Sequence, residues 1–189
     1  LVLMTQDAVL ATPDALEKLL ASFADERTGA AFGRQLPHPD GGAIGAHARL
    51  FNYPDADAEK TLADVPRLGI KTAFLSDSFA AYRRRALAEA GGFPASVILG
   101  EDTYVAARML LNGWKIAYCA EARVFHSHDY TLAQEFGRYF DTGVFHGRES
   151  WIRQEFGQPS GEGLRFVRSE LRFLARARPF LIPAALVRT

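Results

Sequence analysis

Short apolar runs alternate along this chain with stretches whose apolar residues recur at helical spacing, and that alternation predicts an α/β fold. Leu1-Val2-Leu3-Met4 reads as a buried central strand. It starts abruptly, with no initiator methionine and no preceding turn, so a cut end is expected, the chain being the C-terminal part of a larger domain. Thr12-Pro13-Asp14 supplies an N-cap, a proline suited to the first helical position and an early acid; Leu16, Leu19, Leu20 and Phe23 then share one helical face. A short strand is expected over residues 30–35, followed by a loop from 37 to about 65, rich in Pro, Gly, His and Asp. Residues 70–75 and 79–82 read as strands or strand ends, and 84–90 as a short helix that Gly91-Gly92 ends.

A helix from about 102 to 112, stopped by Gly113, precedes strands at 114–119 and 123–125. Thr131-Leu132-Ala133-Gln134 is a capping-box pattern, and Phe136, Tyr139, Phe140 and Val144 are the expected apolar face of the helix it opens. From Leu164 onward the character shifts to six arginines against the single acid Glu170. Arg165, Arg168, Arg172 and Arg176 form a stripe opposite Phe166, Val167, Leu171, Phe173 and Leu174, a basic amphipathic helix that Pro179 should end. Such a helix docks on the anionic inner leaflet of a membrane, or packs on its own domain with a solvated arginine face. The expected division is therefore a main unit over residues 1–160 and a basic helix and tail over 161–189.

Composition narrows the classes. With 189 residues and 48% hydrophobic content the chain buries one core, not two. Its net charge of zero gives no bulk attraction to nucleic acid, which is not an expected partner. Cys119 stands alone, so no intramolecular disulfide forms, and a reducing, cytoplasmic setting is expected, with the inner-membrane surface as a peripheral option. No apolar run is long enough to span a bilayer, and no signal peptide is recognisable.

Three polar clusters carry candidate chemistry. Gly100-Glu101-Asp102-Thr103 puts adjacent carboxylates at a helix start, where one can act as an acid or base; as plain structure, the helix dipole alone favours them there. His126-Ser127-His128-Asp129-Tyr130 follows a strand and offers imidazoles to a metal or to backbone groups. Thr5-Gln6-Asp7-Ala8 follows the first strand. His126-x-His128 with Asp7 also has the spacing of a metal-dependent hydrolase, although in barrel hydrolases that pair follows the first strand of a much longer chain.

In order along the chain, Thr5-Gln6-Asp7-Ala8, Gly33-Arg34-Gln35-Leu36-Pro37, Phe51-Asn52-Tyr53-Pro54, Gly91-Gly92-Phe93-Pro94, Gly100-Glu101-Asp102 and His126-Ser127-His128-Asp129-Tyr130 resemble family 2 glycosyltransferases of the GT-A fold, in particular the bacterial rhamnosyltransferase-like branch. The resemblance covers residues 1 to about 147. It implies the C-terminal part of a Rossmann-like GT-A domain, a mixed sheet flanked by helices. The implied activity is inverting transfer of a sugar such as rhamnose from a nucleotide-diphosphate donor to a glycan or lipid-linked acceptor, with Mg or Mn as cofactor.

By the same resemblance, Asp7 matches the last aspartate of the DxD-type metal motif, with Thr5 in place of the first. Asp102 matches the general base of the ED motif, Glu101 its helper or an acceptor ligand, and His126 the histidine that completes the metal site. If the strand persists, His128 faces away and contacts donor or acceptor instead. Gln6, Arg34, Gln35, Asn52 and Tyr53 are further donor or acceptor contacts, and Arg138 and Tyr139 lie in sequence where they could meet the diphosphate or acceptor. The nucleotide-binding strands of such enzymes precede Leu1, so the chain alone is expected to bind donor poorly and to need that N-terminal half or a partner chain. A noncatalytic glycan-binding fragment is the other reading.

Overall fold

Two long strands, paired in parallel, organise everything else. In the computed structural model, which describes residues 1–157 and 161–188, the strands are β1 (Val2–Met4), β2 (Val9–Leu10), β3 (Thr28–Leu36), β4 (Ala58–Lys60), β5 (Phe79–Tyr82) and β6 (Lys115–Phe125). Among the described residues they form one mixed sheet in the order β1-β5-β3-β6-β2, with β4 pairing a different part of the β6 edge from β2. Only β3 and β6 run parallel; the other pairs are antiparallel. The α/β class and the mixed sheet flanked by helices hold.

The helices are α1 (Ala15–Ala21), α2 (Ala43–Asn52), α3 (Val65–Leu68), α4 (Arg84–Glu89), α5 (Glu101–Leu111), α6 (Leu132–Arg148), α7 (Ser150–Phe156), α8 (Glu162–Ala177) and α9 (Ile182–Arg188). Alternation along the central strands builds a core on each face of the sheet. Ala30, Phe32, Ala80, Tyr82, Ile116 and Tyr118 meet α5 and α7 on one side, through Val105, Met109, Leu110, Ile152 and Phe156. Ala31, Phe79, Ala81, Ala117 and Val124 meet Ala15 and Leu19 of α1 on the other. The many alanines keep the sheet surface low, so helices approach it closely.

The parallel ladder slips twice, between Thr28 and Ala30 and again, by more, after Gly33. Gly33 faces Cys119, but the next residue, Arg34, faces Arg123, so Ala120 to Ala122 bulge out of β6. A Cβ on Gly33 would overlap the Ala122 carbonyl oxygen and the Phe79 ring. Beyond the bulge the ladder resumes, and the His126 N–H bonds the Leu36 carbonyl at 2.9 Å. The two strands expected at 114–119 and 123–125 are thus one strand with a bulge.

Other expectations change for identifiable reasons. Among the described strands β1 pairs only β5, so in this chain Leu1 to Met4 stands at the sheet edge and is largely exposed. The expected loop from 37 to 65 contains α2, whose N-terminus has no local side-chain cap. Its cap comes from afar: the Gly42 N–H donates to both oxygens of Asp129, at 3.0 and 2.9 Å. The strand expected at 70–75 is a 3₁₀ turn over Gly69–Ala73, because buried Lys60 takes the carbonyls of Lys71 and Phe74 that a strand would have given to a neighbour. The expected apolar face of α6 points outward, with Phe136 72% exposed, and the helix docks instead through Phe145. In α8 the stripe of Arg165, Arg168, Arg172 and Arg176 is solvated, while Phe166 and Phe173 pack on His47 of α2. The expected boundary at residue 160 and the last tail residue, Thr189, lie outside the described residues.

Replacing Gly33 by alanine should therefore cost about 1–3 kcal/mol of stability by forcing β6 away at the bulge. Urea denaturation of Gly33→Ala against the parent checks this.

Candidate active site

The ends of β1, β3 and β6 converge on one side of the sheet. The turn after β1 is held where the Thr5 N–H meets the Ser78 carbonyl, and β2 then pairs Val9 with Phe125. That pairing draws Asp7 alongside the residues that leave β6. β6 ends at Phe125, so the alternation that would turn His128 away does not apply, and both imidazoles come to Asp7. The Asp7 Oδ2 lies 3.3 Å from His126 Nε2 and 3.5 Å from His128 Nε2. The two Nε2 atoms are 3.0 Å apart.

Behind His126 stands Gln35, fully buried on β3 and outside the cleft. Arg49, which can only donate, bonds Gln35 Oε1 at 2.8 Å, and so fixes that atom as the carbonyl oxygen. The same oxygen accepts from His126 Nδ1 at 2.8 Å, and the Gln35 amide donates to Ser76 Oγ at 2.8 Å. With its proton on Nδ1, His126 turns a bare Nε2 lone pair toward Asp7. Burial, then the charge of Arg49, pushes His126 down to about 4, and burial also lowers His128. Burial works against ionisation of Asp7, but the Thr5 hydroxyl and the two imidazoles hold its carboxyl below the usual range. Asp7, His126 and His128 thus offer one oxygen and two neutral nitrogens, all within 4.8 Å of one another. A six-coordinate divalent cation would keep free positions there for a ligand's oxygens, so the donor set fits such an ion.

These residues edge a cleft of about 530 Å³ that also takes in Asp77, Glu101 and Asp102. Asp102 opens α5, which starts after Gly100 in the left-handed region (φ 84°); a Cβ there would crowd the Phe145 ring. Burial, followed by the neighbouring charge of Asp77, pushes Asp102 up to about 7. Asp77 itself is pushed up to about 6 by burial, although the Tyr82 hydroxyl donates to it at 2.5 Å. At neutral pH this pair holds a proton loosely, the condition for a general base.

Of the residues singled out in the sequence, Asp7, His126, His128, Glu101, Asp102, Asn52 and Tyr53 line this cleft. Gln6 is exposed in the turn and does not, nor does Arg34, half-buried on β3. Gln35 is corrected from a sugar contact to a support for His126, because its amide is spent on protein partners. Arg138 lines the cleft and sits 5.0 Å over the Tyr130 ring, whereas Tyr139 is turned to solvent. Asp77 and Arg49 were not anticipated. Asp77 sits between two serines ahead of β5 and carries no motif; a lone acid beside an apolar strand is the one local signal.

An acid-bearing turn after an edge strand, a parallel central pair ending in histidines, and a carboxylate at a helix start across one cleft define a GT-A glycosyltransferase fold. The chain belongs to the family described as glycosyltransferase like family 2, whose model matches residues 1–140. It is 52% identical over its whole length to the O-antigen chain rhamnosyltransferase RfbN of Salmonella typhimurium. It is 53% identical over 188 residues to the O-antigen chain rhamnosyltransferase WbaN of Salmonella anatum. The chain spans 60% of the length of each of these relatives. In fold it is similar to the mannosyltransferase PcManGT from Pyrobaculum calidifontis, solved in complex with GDP-Man and Mn2+, with a TM-score of 0.52 at 17% identity, over 99% of this chain and 48% of the other.

Two outcomes follow from this geometry. Gln35→Leu should weaken divalent-cation binding about 10–100-fold by freeing the His126 ring, with the fold kept; manganese titration followed by electron paramagnetic resonance checks it. The raised carboxyls have a stability consequence as well. Asp77 and Asp102 bind protons more tightly folded than unfolded, so their contribution is fully present below about pH 4 and is lost as pH rises through about 6 and about 7. Asp102→Asn should accordingly raise the unfolding midpoint at pH 8 and lose that gain at pH 4, read by thermal denaturation.

Proposed function

We propose that this chain carries the metal-side and acceptor-side chemistry of an inverting glycosyltransferase that moves rhamnose from a nucleoside-diphosphate donor to a glycan or lipid-linked acceptor. One observation carries the reading: Asp102, with its raised proton affinity, shares a single cleft with the Asp7, His126 and His128 cluster. The sugar is read from the two rhamnosyltransferase relatives. Membership of a glycosyltransferase family speaks against the hydrolase alternative.

Asp102 takes the proton of the acceptor hydroxyl as its oxygen attacks the anomeric carbon. The new glycosidic C–O bond forms while the bond to the diphosphate oxygen breaks, and the diphosphate leaves with that electron pair. A divalent cation bound by Asp7, His126 and His128 would neutralise charge developing on the leaving group. Two imidazoles in the donor set favour manganese over magnesium, which prefers an all-oxygen shell. Arg138, stacked on Tyr130 next to His128, is suited to steady the diphosphate, and Asn52 and Tyr53 to hydrogen-bond sugar hydroxyls.

The relatives are longer than the stretch matched here, and the nucleoside is proposed to bind in sequence that this chain does not contain, or on a partner chain. No helix among the described residues is long and apolar enough to cross a membrane. We assign the protein to the cytoplasmic side, with the solvated arginine stripe of α8 suited to an anionic inner leaflet that bears a lipid-linked acceptor.

Transfer from a nucleoside diphosphate-rhamnose, assayed with the full-length protein and manganese, should fall about 10²–10⁴-fold in Asp102→Asn with donor binding retained. Asp7→Ala should instead lose metal-dependent nucleotide binding in calorimetry. Wild-type transfer by Asp102→Asn would overturn the assignment, and glycan binding without any transfer would favour a noncatalytic role.

A further inference from the structure

α6 walls one side of the cleft, and its long faces differ in kind. Arg138, Thr142, Phe145 and His146 line the cleft. Leu132, Phe136, Tyr139 and Phe140 lie on another face, within about 100° of arc, and all are exposed, Phe140 by 62%. The stripe continues through Gly143 and Gly147, where an added Cβ would meet nothing within 4 Å. The segment that leads into Glu101 and Asp102 packs on the same helix, with Val97 and Leu99 sharing a narrow crevice with Val144 and Phe145, and it holds Ile98 out to solvent. Large apolar residues scattered singly are ordinary on a surface, but a run of them along a helix that walls a cleft marks a docking face. The charges around the stripe select its occupant. Both exposed charged residues of α6 are arginines, Arg138 and Arg148, while its acids Glu135 and Asp141 are half-buried, Glu135 against Arg188 of α9 at 3.4 Å. An apolar stripe with cationic flanks suits a bilayer interface that bears anionic headgroups. A second copy would bring flanks of the same sign against it.

We propose that the outward face of α6, with Ile98 beside it, is an interfacial anchor that seats the cleft against an anionic bilayer, so that the acceptor is a lipid-linked molecule met in the leaflet. This deepens the proposed function and rests on it for the acceptor. Leu132, Phe136 and Phe140 enter the boundary between headgroups and acyl chains, Tyr139 keeps its hydroxyl at headgroup level, and Arg148 meets lipid phosphate. Because another face of the same helix lines the cleft, insertion brings the cleft to within about the 10–12 Å diameter of one helix from the membrane surface. The arginine stripe of α8 adds attraction at longer range, which salt screens. The apolar stripe of α6 supplies the depth that holds a protein on a surface once charge is screened.

The test is co-sedimentation of the full-length protein with phosphatidylethanolamine vesicles, with and without phosphatidylglycerol, paired with transfer from a nucleoside diphosphate-rhamnose into vesicles of a bacterial lipid extract. The double variant Phe136→Ser, Phe140→Ser should lose about 10–100-fold in vesicle partitioning and keep its manganese affinity, which reports an intact cleft. Arg148→Gln should lose about fivefold, and only on vesicles that contain phosphatidylglycerol. Phe136→Trp should be quenched by brominated acyl chains, and it carries the test if the double variant does not fold. Parent-like sedimentation of the folded double variant overturns the proposal. So does a parent that stays in solution, whether a second copy or another segment of the full-length chain then proves to cover the stripe. Transfer into the lipid extract should fall with vesicle binding, and transfer that persists after docking is lost overturns the acceptor's place in the leaflet. Docking that follows the stripe in a protein that transfers no rhamnose upholds the anchor and overturns the transferase reading instead.

Discussion

The parallel pairing of β3 with β6 is the interaction on which the rest of this structure depends. It carries the core on both faces of the sheet, and its far end delivers Gln35 and His126 side by side. The slip at Gly33 sets how far β6 has advanced when it reaches Leu36, and hence which residue meets Gln35. Three extra residues in β6 are tolerated because Gly33 has no side chain to collide with them. The same ladder bears β2 on its other edge, and β2 brings Asp7. One sheet register therefore assembles a cluster in which Asp7 stands more than a hundred residues from His126 and His128.

Around that frame the cleft holds groups the core would reject. The aspartates at 77 and 102 are paid for by the apolar packing of α5 and β5 behind them, where Val105, Met109 and Phe79 are fully buried. Raised proton affinity and lowered stability at neutral pH are two readings of one fact, the exclusion of water from a pair of like charges. On the other wall the same exclusion lowers His126 and keeps it neutral, ready to act as a ligand. Low polarity thus works in opposite senses on the two kinds of group, and both senses suit the proposed chemistry.

Much of this was legible in the sequence where the signal was local. Thr131 and Gln134 make the reciprocal cap that their spacing promised, β5 and the helix after it fall where pattern and glycines put them, and the acids at 101 and 102 open a helix. What failed was encoded at a distance. α2 does not declare itself in the sequence because its cap is Asp129, eighty-seven residues on. The strand expected near Ile70 was lost to the amine of Lys60, and the role of Gln35 was hidden because its three partners come from other segments. The outward face of α6 misled for a related reason: its aromatics sit at helical spacing, but the opposite side, with Arg138, Thr142 and Phe145, is the one that meets the cleft.

The presence of Thr5 rather than an acid in the turn after β1 becomes intelligible in three dimensions. A second carboxylate there would have supplied charge and oxygen to a hard cation. The Thr5 hydroxyl instead helps to keep Asp7 ionised, while the turn after Phe125 brings His128 beside His126 and Asp7. A donor set with a neutral nitrogen in place of an anionic oxygen carries one negative charge fewer, and its preference moves toward ions that accept imidazole. Neutral nitrogens hold a cation less tightly by charge alone, which makes their prior alignment matter more. The chain from Arg49 through Gln35 to His126 provides that alignment, with Gln35 buried behind the cleft wall that Arg49 and His126 share.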